Sequence, residues 1–201
     1  MIRVLVAEDQ TLLREALCEI LNRDPQVRVV CQCASGSDVL AAAQLNGPDV
    51  AVLDIEMPGL DGLEAARQLR DELPMVRILM LTVFGRPGYL RRAVTNGALG
   101  FILKDAPPAE LLAAIKRTAR GERVIDPKLA VAALEHGDSP LTEREGQILA
   151  LSRTVSSSAA LAKRLHLSEG TVRNTLSTAM QKLHAPTRSE AARIAEAHGW
   201  L

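Results

Sequence analysis

Glu8-Asp9, Asp54, Thr82 and Lys104 each close a short apolar run in this 201-residue sequence. Three carboxylates gathered at one place raise each other's pKa unless a cation joins them. A hard divalent ion such as Mg²⁺ suits that need, because it takes octahedral oxygen ligands and usually binds one or two protein carboxylates plus water and phosphate oxygens. Lys104 adds a cation on a long stem, suited to a phosphoryl oxygen or to Asp54 itself. Thr82 offers a hydroxyl to another oxygen. Carboxylate nucleophile, metal, ammonium and hydroxyl make a set for phosphoryl transfer onto Asp54. The turn Met57-Pro58-Gly59 aims the backbone carbonyl of Glu56 back at the metal, giving Glu8, Asp9, Asp54 and Glu56 as its expected ligands.

Those residues share a site only if their strands are parallel. Val50 to Leu53 is apolar without alternation, the pattern of a strand buried on both faces. Strands are also read at 2–7, 27–33, 76–81 and 99–103, and helices at 10–23, 35–46, 60–72, 87–96 and 108–120. Five strands alternating with five helices predict a doubly wound α/β fold, a five-stranded parallel sheet in the order 2-1-3-4-5. Glu8-Asp9, Asp54, Thr82 and Lys104 then follow strands one, three, four and five, on the rim where such sheets carry ligand sites.

Composition is globular, 47% hydrophobic and 24% charged, with an aliphatic core in prospect since only four residues are aromatic. Net charge is zero, but residues 1–137 carry 16 basic against 18 acidic residues and 138–201 carry 8 against 6. The small positive excess in the second part permits nucleic-acid binding without demanding it. Cys18, Cys31 and Cys33 complete no zinc pattern and are expected to be reduced structural thiols. Charges from Arg3 onward exclude a signal peptide, and no apolar run approaches the ~20 residues of a membrane helix, so a soluble cytoplasmic protein with no membrane partner is expected.

The pattern breaks over 121–140, where Lys128 to Glu135 leaves room for a short helix and His136 to Pro140 is a turn-rich hinge. Boundaries are therefore set at 1–121, a linker at 122–139 and a second domain at 140–201. That domain reads as all-α, with four helices. Thr142 with Glu145 is a capping box. Ser156-Ser157-Ser158 starts the next helix, carrying Leu161, Ala162 and Leu165. Ser168 caps a third helix with Thr171, Val172, Leu176, Met180 and Leu183 on its apolar face, and the fourth runs over 189–198. A short turn between the second and third helices gives a helix-turn-helix. Arg173, Asn174 and Ser177 lie off the apolar stripe, where Arg suits guanine edges and Asn adenine. Thr171 is counted with them among the expected DNA-binding residues. Lys163, Arg164, Lys182 and Arg188 are the expected phosphate contacts.

As a set, Glu8-Asp9, Asp54, Pro58-Gly59, Thr82 and Lys104 resemble, in order and spacing over 2–121, the receiver domain of bacterial two-component response regulators. The resemblance implies phosphorylation of Asp54 by a sensor histidine kinase, Mg²⁺ held by Asp9 and Asp54 with Glu8 assisting, and Phe101 as the switch aromatic. Val83 stands where that family commonly has Ala or Ser. With Phe84 and Glu56 it is expected to restrict attacking water and lengthen the life of the acyl phosphate. Leu141-Thr142-x-Arg144-Glu145, Leu161-Ala162, Leu167 to Asn174, Lys182-Leu183 and Arg188-x-Glu190-Ala191 resemble the NarL/FixJ (LuxR-type) DNA-binding domain. Ser158-Ala159-Ala160 replaces its usual Asn-Lys-Glu run, so fewer phosphate contacts are expected from that helix. Asp54 to Gly59, Phe84 to Tyr89 and Gly199-Trp200 also resemble the DesR subfamily of membrane-fluidity regulators.

The reading is a DNA-binding transcriptional regulator whose receiver catalyses its own phosphorylation and slow dephosphorylation, and which dimerises on promoter DNA. A metal hydrolase with an aspartyl nucleophile is the alternative from another class. It lacks a second acid placed to transfer protons, and it leaves the helical tail without a role. A constitutive DNA binder with a degenerate receiver is a third reading, opposed by the intact set of site residues.

Overall fold

The computed structural model describes residues 1–83, 87–127, 130, 139–155 and 157–201. Phe84, Ser156, most of the helix expected over 128–135 and residues 136–138 of the hinge lie outside the described residues. The chain forms two compact units, one built on a sheet and one on helices.

In the first unit, β1 (Ile2–Ala7), β2 (Val27–Cys33), β3 (Val50–Asp54), β4 (Arg77–Thr82), β5 (Ala98–Leu103) and β6 (Val124–Ile125) form one sheet in the order β2-β1-β3-β4-β5-β6. Every pairing is parallel. The five-strand expectation is corrected to six. Gly100 pairs with Val124 and Phe101 with Ile125, and the Asp126 N–H donates to the Phe101 carbonyl at 3.2 Å. Two residues carry no periodicity, so β6 was hidden inside the expected linker.

The connecting helices are α1 (Thr11–Asn22), α2 (Gly36–Asn46), α3 (Gly62–Glu72), α4 (Pro87–Thr95) and α5 (Pro108–Ala119). Side chains alternate between the faces of a strand. Val4, Val6, Val50, Val52, Leu79 and Leu81 therefore meet Leu17 and Leu21 of α1 and Leu111 and Ile115 of α5 in one core layer. Their neighbours Leu5, Ala51, Leu53, Ile78 and Met80 are equally buried on the opposite face. A strand sealed on both faces has no polar alternation, which is why β3 reads as an unbroken apolar run.

Among the described residues the second unit holds α6 (Glu143–Leu151), α7 (Ser158–Leu165), α8 (Glu169–Lys182) and α9 (Arg188–Ala197). The capping box forms as expected. Thr142 N–H donates to Glu145 Oε2 at 2.7 Å, and Glu145 N–H donates to Thr142 Oγ1 at 3.3 Å. Ser157, Ser168 and Thr187 cap the other three helices. Ile148, Leu149, Leu161, Val172, Leu176, Ala179, Ala191 and Ala195 make the core. The turn from α7 to α8 passes through His166 at φ 54°, a left-handed position at which a helix commonly ends.

Candidate phosphoacceptor site and DNA-binding face

Register fixes the rim before any side chain is considered. Ala7 pairs with Leu53, Asp54 with Leu81 and Thr82 with Leu103. The residues ending β1, β3, β4 and β5 therefore come level. The Lys104 N–H donates to the Thr82 carbonyl at 2.7 Å, bringing the lysine beside the end of β4.

Lys104 Nζ lies 2.9 Å from Asp54 Oδ2 and 2.6 Å from Glu8 Oε2. All three side chains are nearly sealed from solvent, at 8% exposure for Lys104, 4% for Asp54 and 1% for Glu8. The Lys104 ammonium is the partner of Glu8 Oε2. Burial pushes the Asp54 carboxyl above the ordinary carboxylate range, with Lys104 pulling against it. Burial likewise raises Glu8, and the negative charge of Asp54 adds to the rise. Burial alone would lower Lys104, yet Glu8 and Asp54 together raise it and keep it cationic.

Glu8, Asp9 and Asp54 each offer a carboxylate oxygen, all within 4.8 Å of one another. Hard oxygen donors and three clustered carboxylates against one ammonium fit a hard divalent cation. The Glu56 N–H donates to Asp54 Oδ1 at 3.4 Å, which sets the Glu56 peptide beside the cluster while its side chain is exposed. Gly59 makes the expected turn at φ 77°. Thr82 is 2% exposed and Phe101 1%, the latter paired with Met80 in the sheet. Val83 is 54% exposed.

Two residues that sequence reading passed over support this rim. A Cβ on Gly62 would sit 1.8 Å from the Asp54 carbonyl oxygen, so only glycine lets α3 start against the end of β3. Arg14 Nη1 donates to the Glu8 carbonyl at 2.6 Å. Asp61-Gly62 opening an amphipathic stretch was the available signal for the first. The second had none, since an arginine on a helix reads as a solvated charge.

On the helical unit, Val172, Leu176 and Ala179 face the core, and Thr171, Arg173, Asn174 and Ser177 are exposed together. Thr171 belongs with the exposed set, not the apolar face, and Ala179 takes its place inward. Arg173 is ion-paired with Glu169 one turn earlier. Lys163 and Arg164 are exposed on α7. Lys182 is exposed as well, but its Nζ lies 2.7 Å from Glu145 Oε2. Arg188 lines a cavity of about 330 Å³ with Ser152, Arg153 and Arg193.

Residues 4–116 match the response regulator receiver domain, and residues 139–195 match the bacterial regulatory proteins of the luxR family. The chain belongs to the response regulator family. This response regulator is 39% identical over 201 residues to the transcriptional regulatory protein DesR of Bacillus subtilis, covering all of both chains. It is 41% identical over 203 residues to the response regulator RamR of Streptomyces coelicolor, covering 100% of this chain and 98% of RamR. Among crystal structures, the response regulator ChrA of a heme-sensing two-component system matches with a TM-score of 0.59 at 33% identity. That match covers 97% of this chain and 96% of ChrA. The response regulator thus pairs a receiver with a LuxR-type DNA-binding domain, the architecture of a transcriptional regulator. No helix among the described residues is long and apolar enough to cross a membrane.

Proposed function

We propose that Asp54 accepts a phosphoryl group from a sensor histidine kinase in the cytoplasm, and that the phosphorylated chain binds promoter DNA as a homodimer. The observation that carries this reading is the Lys104 ammonium between Asp54 and Glu8, at 2.9 and 2.6 Å, beside three clustered carboxylates. In the transfer, an Asp54 oxygen forms the new P–O bond as the P–N bond of the donor phosphohistidine breaks, and the freed imidazole leaves. Asp9, Asp54 and the Glu56 carbonyl would hold Mg²⁺, with Glu8 assisting. Mg²⁺ when bound supplies charge neutralisation for the phosphoryl oxygens. Lys104 would follow the new negative charge, and Thr82 would donate its hydroxyl to a phosphoryl oxygen. Drawing in those two residues biases Phe101 and the neighbouring helices between two arrangements.

The limits that go with this reading are a receiver over 1–121, a linker over 122–139 whose first residues extend the sheet, and a DNA-binding domain over 140–201. In that domain Thr171, Arg173, Asn174 and Ser177 are the proposed base-side contacts, and Lys163 and Arg188 the phosphate contacts. Lys182 is the weakest member of the set, because its charge already serves Glu145.

The test is solution mass by light scattering with Mg²⁺ and a small phosphodonor, beside intact mass spectrometry for the added phosphoryl group. The wild type should gain one phosphoryl and shift from monomer to dimer, and Asp54→Ala should do neither. Equal phosphorylation of both chains removes Asp54 as the acceptor. A constant mass in both removes the gated dimer.

A further inference from the structure

We propose that Arg14 is a positioning residue for the acidic pair, fixing the loop between β1 and α1 so that Glu8 and Asp9 face Asp54 and a divalent cation. The inference rests on the metal-assisted reading of the site given above. Arg14 Nη1 donates to the Glu8 carbonyl at 2.6 Å and to the Asp9 carbonyl at 3.4 Å, and Nη2 donates to Thr11 Oγ1 at 3.5 Å. One guanidinium thus touches the backbone of both acids and the first residue of α1. Gln10, at the N-cap of α1, makes no side-chain capping bond. The other ties of this loop among the described contacts are Glu8 N–H to the Cys33 carbonyl at 3.1 Å, Arg14 N–H to the Gln10 carbonyl at 2.9 Å, Lys104 Nζ to Glu8 Oε2 at 2.6 Å and Gln10 N–H to Glu8 Oε1 at 3.2 Å.

The chemistry favours arginine at this place. Nη1 reaches both carbonyls while Nη2 reaches Thr11 Oγ1, so the planar fork ties the acid pair to the start of α1, whereas a lysine ammonium is a point donor on a shorter stem. Outer groups that orient ligands change metal affinity about tenfold or more when removed. Charge acts in the opposite direction, because a guanidinium beside the cluster repels a dication. Positioning and bare electrostatics therefore predict opposite signs for the same substitution.

The experiment is calorimetric titration of the full chain with MgCl₂ for the wild type, Arg14→Ala and Arg14→Lys, with unfolding of each followed in the absence of metal. Arg14→Ala should bind Mg²⁺ about tenfold more weakly, and Arg14→Lys should fall between it and the wild type. Mg²⁺ binding by Arg14→Ala as tight as the wild type, or tighter, overturns the proposal. So does weaker Mg²⁺ binding by Arg14→Lys than by Arg14→Ala, which would assign the effect to charge. Loss of stability with unchanged Mg²⁺ affinity would make Arg14 structural only and also overturns it. Absence of binding in the wild type would overturn the metal-assisted reading itself, a failure visible before any variant is compared.

Discussion

Lys104 is the residue on which the acidic rim depends in the metal-free chain. Two buried carboxylates share its ammonium, and a buried charge left without its partner is expensive. Lys104→Ala should lower stability by about 3 kcal/mol in urea unfolding without divalent ions. Adding Asp54→Asn to it should recover a large part of that loss, because one of the stranded charges is gone. If the double variant is no more stable than the single one, the pairing is not what stabilises the site. The identities of these residues were legible in the sequence, since each stands at the end of an apolar run. The Glu8 contact was not foreseen. Lys104 was expected to serve Asp54 or a phosphoryl oxygen, and only the aligned strand ends bring it to Glu8 as well. Arg14 and Gly62 stayed hidden for a similar reason. Their roles depend on backbone atoms of other elements, which no side-chain pattern encodes.

Among the elements, α6 and α8 are joined by one carboxylate that does two jobs. Glu145 completes the Thr142 capping box and accepts from Lys182 at the far end of α8. Burial would raise its carboxyl, but the bonds from Lys182 and Thr142 outweigh it and leave Glu145 below the ordinary value of 4.5. A group whose pKa is lower folded than unfolded stabilises the fold above its unfolded pKa and loses that contribution as pH falls through the folded one. Unfolding followed by Trp200 fluorescence should therefore show the wild type more stable than Glu145→Gln near neutral pH. The gap should close below about pH 4.5. A gap independent of pH would mean that the ionised carboxylate is not what matters. Helix limits were readable from caps and punctuation, and every described helix starts within two residues of its expected place. β6 was not readable, because a two-residue strand exists only through its partner β5.

For the molecule as a whole, Lys182 differs from Lys163 among the proposed DNA contacts in being paired with a buried carboxylate. Lys163 is exposed and Lys182 is committed to Glu145. In anisotropy titrations of a mixed-sequence duplex over a range of salt, Lys163→Ala should reduce the slope of log affinity against log salt by about one. Lys182→Ala should leave the slope unchanged and lower the stability of the helical unit. A slope reduced by Lys182→Ala alone would reverse the assignment and return Lys182 to the phosphate contacts.

By itself the sequence determined the parallel α/β sheet, the four-helix second unit, the acid pair, Asp54, Thr82 and Lys104. All of these follow from periodicity, punctuation and position along the chain, which are local or one-dimensional properties. Tertiary structure decided the sixth strand, the double engagement of Lys104, the pairing of Lys182 with Glu145, and the supporting places of Arg14 and Gly62. Those depend on register between strands and on approaches of a few ångströms between segments remote in sequence. A charged side chain has the same one-letter identity whether it meets water or a buried partner, and only packing distinguishes the two.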